Sequence, residues 1–443
     1  MENKVTKFSR SSWAVLIIFG LIGQIAWSVE NMFFNMFVFY DIAPDLDTVT
    51  LMVQLSGVAA TVVTLIAGTL SDKIGNRRSF IAWGYVIWGV TVALFGCLSP
   101  DLVGGLFGMP YEEAVSLCLV LVVVADCSMT LFGSTANDAA FNAWVTDNTD
   151  NSNRGRIEGI VSILPLIALL IVAGGFGILK DIIGGYRNLF IALGAVISLS
   201  GIFGVFKIKD APTLEKNGGF KDIFYGFSPS VVKNNKPFYI TLLVVLIYGI
   251  ACQVFMPYMI IFMTAYLGFG VVEYSLVFGI AILGGAGVNL YLTKLSDSKD
   301  KVKLMYLAAG IFAFGLFSMY LSSMISEKIL LLLLFGIAGF VMITGYIFVS
   351  ALSGAIIRDY TPKGAVGKLQ GVRMVASVFI PMLIGPAIGN GINKLRDVKL
   401  PDLSSDAVMT TSYVPAPEIF LVGAILALLL FIIIPVLAKN TKK

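Results

Sequence analysis

The sequence predicts an all-α membrane protein with twelve transmembrane helices in two six-helix pseudo-symmetric bundles. Of its 443 residues, 57% are hydrophobic and 13% are charged, whereas soluble domains carry about 25% charged residues. The apolar residues form long segments, each of a length that crosses a bilayer as a helix. The segments lack the polar–apolar alternation that a transmembrane β-barrel requires. Since backbone groups in lipid must bond internally, helices are the expected structure.

The hydrophobic segments give twelve predicted spans. The first is long and has no small-residue cleavage site after it, so we expect no cleavable signal peptide. The spans cover residues 12–40, 48–70, 79–99, 113–142, 157–180, 187–206, 238–267, 272–294, 303–324, 328–357, 368–392 and 418–438.

The positive charges predict the orientation of the spans. With a cytoplasmic N-terminus, all but six of the 31 Lys and Arg residues fall on the cytoplasmic side. The six are Lys180, Arg187, Lys328, Lys394, Arg396 and Lys399. Because cytoplasmic loops are enriched in Lys and Arg, we expect a multi-pass protein with both termini in the cytoplasm. The short loops fit a bacterial plasma (inner) membrane.

The reactive residue types disfavour an enzyme. Histidine is absent, and no phosphate-binding loop occurs in a strand–helix context. Four cysteines lie inside apolar spans without metal-ligand spacing, so we expect them to be small buried hydrophobic residues. We therefore expect no enzymatic activity, no metal, no cofactor and no nucleic-acid partner. The cysteines are Cys97, Cys118, Cys127 and Cys252.

Two loops of the first half recur in the second half, which predicts an internal repeat. The corresponding residues are Asp147 with Asp359, Gly155 with Gly367, and Asp72 with Asp297. We predict an N-terminal bundle over residues 1–206, a cytoplasmic linker over 207–236 and a C-terminal bundle over 237–443.

The linker has apolar residues at helical spacing with charged residues between them. This pattern predicts a short amphipathic helix on the inner membrane surface. A second long loop, residues 393–417, faces outward and is either an inert insertion or a mobile cap. The apolar linker residues are Phe220, Ile223, Phe224 and Phe227.

The loop between the second and third spans, Gly68–Arg78, reads GTLSDKIGNRR. It resembles the loop between helices 2 and 3 of major facilitator superfamily transporters, and the resemblance spans essentially the whole chain. It implies a carrier of two rocking bundles with helices 1, 4, 7 and 10 around a cavity. The matching residues are Gly68, Asp72, Lys73, Gly75, Arg77 and Arg78.

The same resemblance implies a cytoplasmic gate. Asp72 resembles the acid that caps the start of helix 11 when this gate is closed, a place where a carboxylate is favoured. Arg77 and Arg78 resemble cations that pair with acids of neighbouring helices, for which Asp147 is our candidate. The alternative is that both arginines only set the topology. The predicted gate also includes Arg156 and Asp359.

Two acids, Glu30 in span 1 and Asp126 in span 4, lie deep in predicted cavity helices. A charged residue at the centre of a membrane helix costs about 2.5–3.5 kcal/mol, so each is a candidate for substrate or cation binding. The alternative is a structural hydrogen bond or ion pair. Polar residues at helical spacing accompany both acids, and we expect them to face water or substrate. They are Gln24, Trp27, Asn31 and Asn35 on helix 1 and Thr130, Ser134 and Asn137 on helix 4, with Asp138 and Asn142 beyond them.

The cavity helices of the second half are more apolar. Their candidate binding residues are Gln253 and Tyr258 on helix 7 and Tyr346 on helix 10. Aromatic rings with amides and hydroxyls suit a sugar, whose faces stack and whose hydroxyls form hydrogen bonds. No basic residue lies at mid-depth in the cavity helices, which disfavours a strongly anionic substrate.

Within the superfamily, the helix 4 acid and the polar helix 1 are similar to those of glycoside–cation symporters. The helix 5 proline signature of drug–proton antiporters is missing from Ala173–Gly177, and helix 2 lacks the acids of melibiose-type carriers. We predict a monomeric secondary active transporter for a small polar solute, a sugar or glycoside in the first place, coupled to a cation gradient of H+ or Na+, with H+ favoured. Asp126 would be the coupling carboxylate and Glu30 its partner. The alternatives are a drug or metabolite exporter and a non-transporting membrane receptor.

Overall fold

The computed structural model describes residues 8–149, 153–211, 220–362, 369–399 and 413–441. These residues contain twelve helices long and apolar enough to cross a membrane, which confirms the predicted number. Each coincides with one predicted span, and the ends differ by a few residues. They are α1, Arg10–Ile42; α2, Leu46–Ile74; α3, Arg77–Phe95; α4, Tyr111–Asp147; α5, Gly159–Ile183; α6, Tyr186–Lys207; α7, Lys236–Tyr266; α8, Val271–Leu292; α9, Lys301–Ser322; α10, Lys328–Tyr360; α11, Gln370–Arg396; and α12, Glu418–Thr441.

A short helix that the sequence analysis did not predict, Pro100–Phe107, connects α3 to α4. Ser99 caps its start by accepting a hydrogen bond from the Leu102 amide at 3.1 Å. Proline at the first position suits a helix start, since the missing N–H has no partner there anyway. Gly108 ends the helix in the left-handed conformation, with φ of 65°.

The linker between α6 and α7 contains a 3-10 helix, Phe220–Phe227, followed by an α-helix, Pro229–Asn234. Tyr239 of α7 donates a hydrogen bond to the carbonyl of Gly226, which attaches the 3-10 helix to α7. Phe224 is 70% exposed. Among the described residues, the β-type contact is a single bridge between Lys399 and Tyr413; residues 400–412 of the predicted 393–417 loop lie outside them.

The chain forms two compact units. Unit 1 consists of Met1–Phe37 and Ala59–Phe220, and unit 2 of Val38–Val58 and Lys221–Lys443. The first half of α2 therefore packs with the C-terminal helices and its second half with the N-terminal helices.

Unit 1 has an aromatic core and one very close helix crossing. Phe34 of α1 stacks on Phe95 of α3 with ring centroids 4.0 Å apart, and Phe190 of α6 meets Phe34 edge-on at 4.7 Å. A Cβ on Gly89 of α3 would lie 2.3 Å from the carbonyl oxygen of Gly194 of α6. Small residues here allow the two backbones to touch, as is common between membrane helices.

In unit 2, α7, α10 and α11 share an apolar cluster of Phe238, Leu242, Ile357, Leu369 and Ala376. The first half of α2 is bonded to α11, because Gln54 Nε2 donates to the Leu383 carbonyl at 2.7 Å. This interhelical hydrogen bond fixes the position of the first half of α2 along α11.

Candidate functional site

The two deep acids of the first half lie close enough within unit 1 to interact electrostatically. Glu30 is 7% exposed and Asp126 is 1% exposed. The Thr130 hydroxyl of α4 lies 3.1 Å from Glu30 Oε1 and donates to the Asp126 carbonyl at 2.9 Å. Glu30 Oε2 and Asp126 Oδ1 are buried without a hydrogen-bond partner, and neither carboxyl group belongs to an ion pair of the described residues. The site therefore presents two adjacent carboxyl groups with free oxygen atoms.

Both helices of this site contain a π-helical segment. Glu30 begins a π segment of α1, Glu30–Phe34, and α4 is π-helical over Ser134–Phe141. Such segments are rare and occur frequently at functional sites, because the wider turn displaces side chains from the regular helical face.

A third carboxyl group, Asp138, lies on the π segment of α4. Ser134 Oγ donates to its Oδ2 at 3.0 Å, and Asn137 Nδ2 lies 3.3 Å from its Oδ1. The Trp27 indole of α1 lies near this carboxyl group, and its Nε1 is buried without a hydrogen-bond partner. Unlike the other two acids, Asp138 is partly exposed. It lies on the same helix as Asp126 and is less buried than Glu30 and Asp126.

Aromatic side chains of α1 and α3 surround this polar region. Trp27 and Trp88 lie with ring centroids 4.9 Å apart. The Tyr85 hydroxyl of α3 lies 2.7 Å from the Phe19 carbonyl and 2.9 Å from Asn137 Oδ1, so it links three helices.

The other predicted amides of α1 bond mainly along their own helix. Asn31 Nδ2 donates to the Trp27 carbonyl at 2.7 Å, and Asn35 Nδ2 donates to the Asn31 carbonyl at 3.0 Å. Asn31 is exposed, Asn35 is buried and Gln24 is half-buried. Thr130, rather than these amides, is hydrogen-bonded to the Glu30 carboxyl group.

The α2–α3 loop forms a compact ion-pair network in unit 1. Arg77, 5% exposed, pairs with Asp72 and donates from Nε to Asp147 Oδ2 at 3.0 Å. It also donates to the Ser71 hydroxyl. Gly75, at φ of 69°, makes the turn between the helices, a conformation that costs glycine little. The network joins the ends of α2, α3 and α4.

The remaining predicted gate residues have different partners. The Arg78 amide donates to Asp210 at 2.9 Å, and its guanidinium donates to the Val205 carbonyl. Lys73 is exposed, and a Cβ on Gly68 would lie 4.0 Å from Ala139 of α4. Arg156 lies over the Trp13 ring at 5.1 Å, a cation–π contact. In unit 2, Asp359 pairs with Lys301.

This geometry agrees with the result of a family comparison. The sequence matches the Major Facilitator Superfamily over residues 16–386, which is most of the chain. The chain belongs to the Major Facilitator Superfamily. Its members are secondary transporters, so a small-molecule substrate and a lipid environment follow from membership. No curated protein matches the sequence significantly.

Solved structures of superfamily transporters share the fold. A mutant of the nucleoside transporter NupG aligns with a TM-score of 0.67 and 12% identity, covering 96% of this chain and 99% of that one. A bacterial homolog of the human lysosomal transporter Spinster aligns with a TM-score of 0.66 and 13% identity, covering 99% of this chain and 98% of that one. A bacterial homologue of the iron transporter ferroportin aligns with a TM-score of 0.64 and 12% identity, covering 96% of this chain and 99% of that one. At these identities the likeness concerns the fold alone.

In this superfamily member, the candidate residues of the second half form separate contacts within unit 2. The fully buried Tyr258 donates to the Pro386 carbonyl at 2.9 Å, and its hydroxyl lies 2.8 Å from Thr50 Oγ1. The Tyr248 hydroxyl donates a hydrogen bond to the main-chain carbonyl of Tyr346 on α10 at 2.9 Å. Gln253 packs so closely on α11 that a Cβ on Gly385 would lie 2.4 Å from its Cβ.

Sequence reasoning placed Asp138 in the polar series of helix 4 but did not select it as a site residue. A regular α-helix would turn Asp138 away from Asp126, because successive i, i+4 steps drift around the helix axis. The π segment Ser134–Phe141 has more residues per turn, which reverses part of this drift. The available signal was the Ser134–Asp138 spacing, which permits a hydrogen bond within one turn.

Proposed function

We propose that this superfamily member is a proton-coupled secondary active transporter of a small polar solute, with a sugar or glycoside as the expected cargo. The observation that supports this most is the buried pair Glu30 and Asp126, whose Oε2 and Oδ1 atoms have no hydrogen-bond partner. Two adjacent carboxylates without a cation are costly in a low-dielectric interior. Binding of a positive ion removes that cost and makes the loaded site compatible with movement through an apolar barrier.

A proton suits this pair better than Na+. A neutral Glu30 carboxyl group can donate to Thr130 Oγ1, because the threonine hydroxyl already donates to the Asp126 carbonyl at 2.9 Å. A proton requires one carboxylate oxygen, whereas a hard metal cation prefers a shell of about six oxygen ligands. We assign Asp126 as the coupling carboxyl group and Glu30 as its partner.

The aromatic and amide residues support a sugar-like cargo. Trp27 beside Asp138 offers an apolar face next to a hydrogen-bond acceptor, the combination that a sugar ring uses. Within unit 2, Gln253, Tyr258 and Tyr346 are proposed separately as candidate sugar contacts. We further propose a monomer in the plasma (inner) membrane with both termini in the cytoplasm, since cytoplasmic loops carry most of the positive charge.

Export of an organic cation is the second candidate. The observation that favours it is the combination of three acids, Glu30, Asp126 and Asp138, with the nearby tryptophan rings of unit 1. An ammonium group is attracted both to carboxylates and to the face of an indole. In this case the substrate itself would neutralise the acids.

The proposed function is tested by flux in proteoliposomes with an imposed pH gradient. Labelled hexoses, methyl glycosides and quaternary ammonium compounds are supplied to the wild type, Asp126→Asn and Glu30→Gln. We expect gradient-driven accumulation of a sugar by the wild type. Both variants should lose accumulation but retain exchange of the same sugar across the membrane. Asp101→Asn, at an exposed position outside the site, is the matched control.

Three outcomes would contradict the proposal. Accumulation by Asp126→Asn at the wild-type level would remove the carboxyl pair from coupling. Accumulation of quaternary ammonium compounds alone would establish the exporter. Specific binding of a compound without any flux would identify a receptor with this fold.

A further inference from the structure

Asp138 is the accessible member of the three acids in unit 1. Glu30 and Asp126 are 7% and 1% exposed, whereas Asp138 is intermediate between buried and exposed. A proton that reaches Glu30 or Asp126 must pass a group that can contact water. Asp138 satisfies this requirement because it carries a carboxyl group at the edge of the same polar region.

Two buried hydroxyls lie along α4 between Asp138 and the pair. Ser134, 0% exposed, bonds to Asp138 Oδ2 at 3.0 Å, and Thr130, 1% exposed, lies 3.1 Å from Glu30 Oε1. They are four residues apart on the same helix and therefore about one turn, or about 5–6 Å, from each other. A single ordered water molecule can bridge such a gap between hydroxyls.

The groups that face Asp138 leave its charge uncompensated. On α1 these are Trp27, whose indole lies near the carboxyl group, and Glu30, which has the same charge sign. On α3 Tyr85 interacts electrostatically with Asp138, and on α4 itself Ser134 and Asn137 are hydrogen-bonded to it. No Lys or Arg of the described residues forms an ion pair with Asp138.

We propose that Asp138 is the entry residue, the carboxyl group through which protons reach the Glu30–Asp126 pair. The proposal rests on the proton-coupled function above and assigns a positioning and transfer role to a residue outside that pair. The proton leaves the Asp138 carboxyl group; Ser134, the bridging water molecule and Thr130 in turn each accept one proton and release another, and Glu30 receives the last. No bond other than O–H bonds changes, and no oxidation state changes.

This role predicts a kinetic effect separate from binding. Without Asp138 or the Ser134 hydroxyl, the Glu30–Asp126 pair still binds its proton at equilibrium, but the proton arrives more slowly. A residue that only stabilises the fold would change stability instead and leave the rate of protonation unaltered.

The test uses the purified full-length chain without substrate. Infrared difference spectra follow the C=O band of protonated carboxyl groups after a rapid drop in pH. The band of the pair is identified as the part that Glu30→Gln and Asp126→Asn remove. We expect Ser134→Ala and Asp138→Asn to slow its appearance by about tenfold or more, with an unchanged final amplitude for the pair. Ser128→Ala, which removes a hydroxyl on the exposed side of α4, is the matched control.

Ser134→Ala keeps the proposal testable if Asp138→Asn fails to fold, because it removes one oxygen atom from a helical position. An unchanged rate in Ser134→Ala or in a folded Asp138→Asn would overturn the entry role while leaving proton binding by the pair intact. If neither Glu30→Gln nor Asp126→Asn removes part of the C=O band, the proton-coupled function is overturned, and the entry role with it. Slowing by Ser128→Ala to the same extent would also overturn the assigned route.

Discussion

Arg77 at the start of α3 donates from Nε to Asp147 at the end of α4, over a distance of 3.0 Å. The second half of the chain has an equivalent ion pair, because Lys301 at the start of α9 pairs with Asp359 near the end of α10. The sequence repeat relates Asp147 to Asp359, and the structure adds the two cations. The repeat therefore extends from the loop sequences to the ion pairs within each unit.

The two ion pairs should differ in their contribution to stability. The Arg77 side chain is 6% exposed and holds two acids that are 39% and 25% exposed, whereas Lys301 and Asp359 are 31% and 49% exposed. Removal of Arg77 leaves two carboxylates close together without a cation. We expect Arg77→Ala to lower the free energy of unfolding by about 2–3 kcal/mol, below the full value for a buried pair because the acids contact solvent.

Lys301→Ala is the comparison, with an expected loss of at most about 1 kcal/mol. Both variants are measured by thermal unfolding of the purified protein in the same detergent. Equal losses for Arg77→Ala and Lys301→Ala would show that burial of the Arg77 network does not add stability.

The twelve helices could be predicted from the sequence because the hydrophobicity of about 20 successive residues is a local property. Asp126 was a candidate for the same reason, since an acid inside such a segment is conspicuous. The position of Asp138 depends instead on the π segment of α4 and on packing of Trp27 from α1. Neither follows from spacing along one helix.

The short helix Pro100–Phe107 was missed for a different reason. Its start signal, Ser99 followed by proline, and its stop signal, Gly108, are both present in the sequence. The segment is too short to cross a membrane, and a search for long apolar segments passes over it. Capping signals would have predicted it.

Gly23 of α1 allows close contact with the Tyr85–Asn137 pair. A Cβ at this position would lie 2.5 Å from Asn137 Oδ1 and 2.6 Å from the Tyr85 hydroxyl. Gly23→Ala must displace the Asn137 and Tyr85 side chains or move α1 away from them, so we expect a loss of about 1–3 kcal/mol in unfolding free energy. Gly159→Ala on α5 is the control, since nothing lies within 4 Å of its added methyl group. Thermal unfolding of both variants measures the difference, and a Gly23→Ala protein as stable as Gly159→Ala would disprove the close contact.

Tyr258 should stabilise unit 2 through its hydroxyl. The residue is 0% exposed, and its hydroxyl reaches the Pro386 carbonyl at 2.9 Å and Thr50 Oγ1 at 2.8 Å. Tyr258→Phe removes the hydroxyl and leaves the buried Pro386 carbonyl and Thr50 Oγ1 without this partner. We therefore expect the free energy of unfolding to fall by about 1–2 kcal/mol. Tyr291→Phe, at a position that is 68% exposed, should change nothing measurable. A thermal shift of Tyr258→Phe no larger than that of Tyr291→Phe would contradict the prediction.

Asp47 holds the start of α2 to the end of α11 within unit 2. Its Oδ1 accepts hydrogen bonds from Asn390 Nδ2 and from Lys394 Nζ, the latter at 2.7 Å. Lys394 and Asp47 are 51% and 40% exposed, so their ion pair contributes at most about 1 kcal/mol. Asp47→Ala should therefore loosen only the first half of α2 and leave the rest of unit 2 in place.

Hydrogen exchange measures this effect segment by segment. We expect the backbone amides of residues 46–58 to exchange about fivefold faster in Asp47→Ala, the factor that corresponds to about 1 kcal/mol. Asp101→Ala in unit 1 is the matched control, and it should leave these amides unchanged. Lys394→Ala should give part of the same increase and add little to Asp47→Ala in the double variant, because the two residues share one interaction. If the two single effects simply add, Asp47 and Lys394 act independently and the ion pair does not hold α2 to α11.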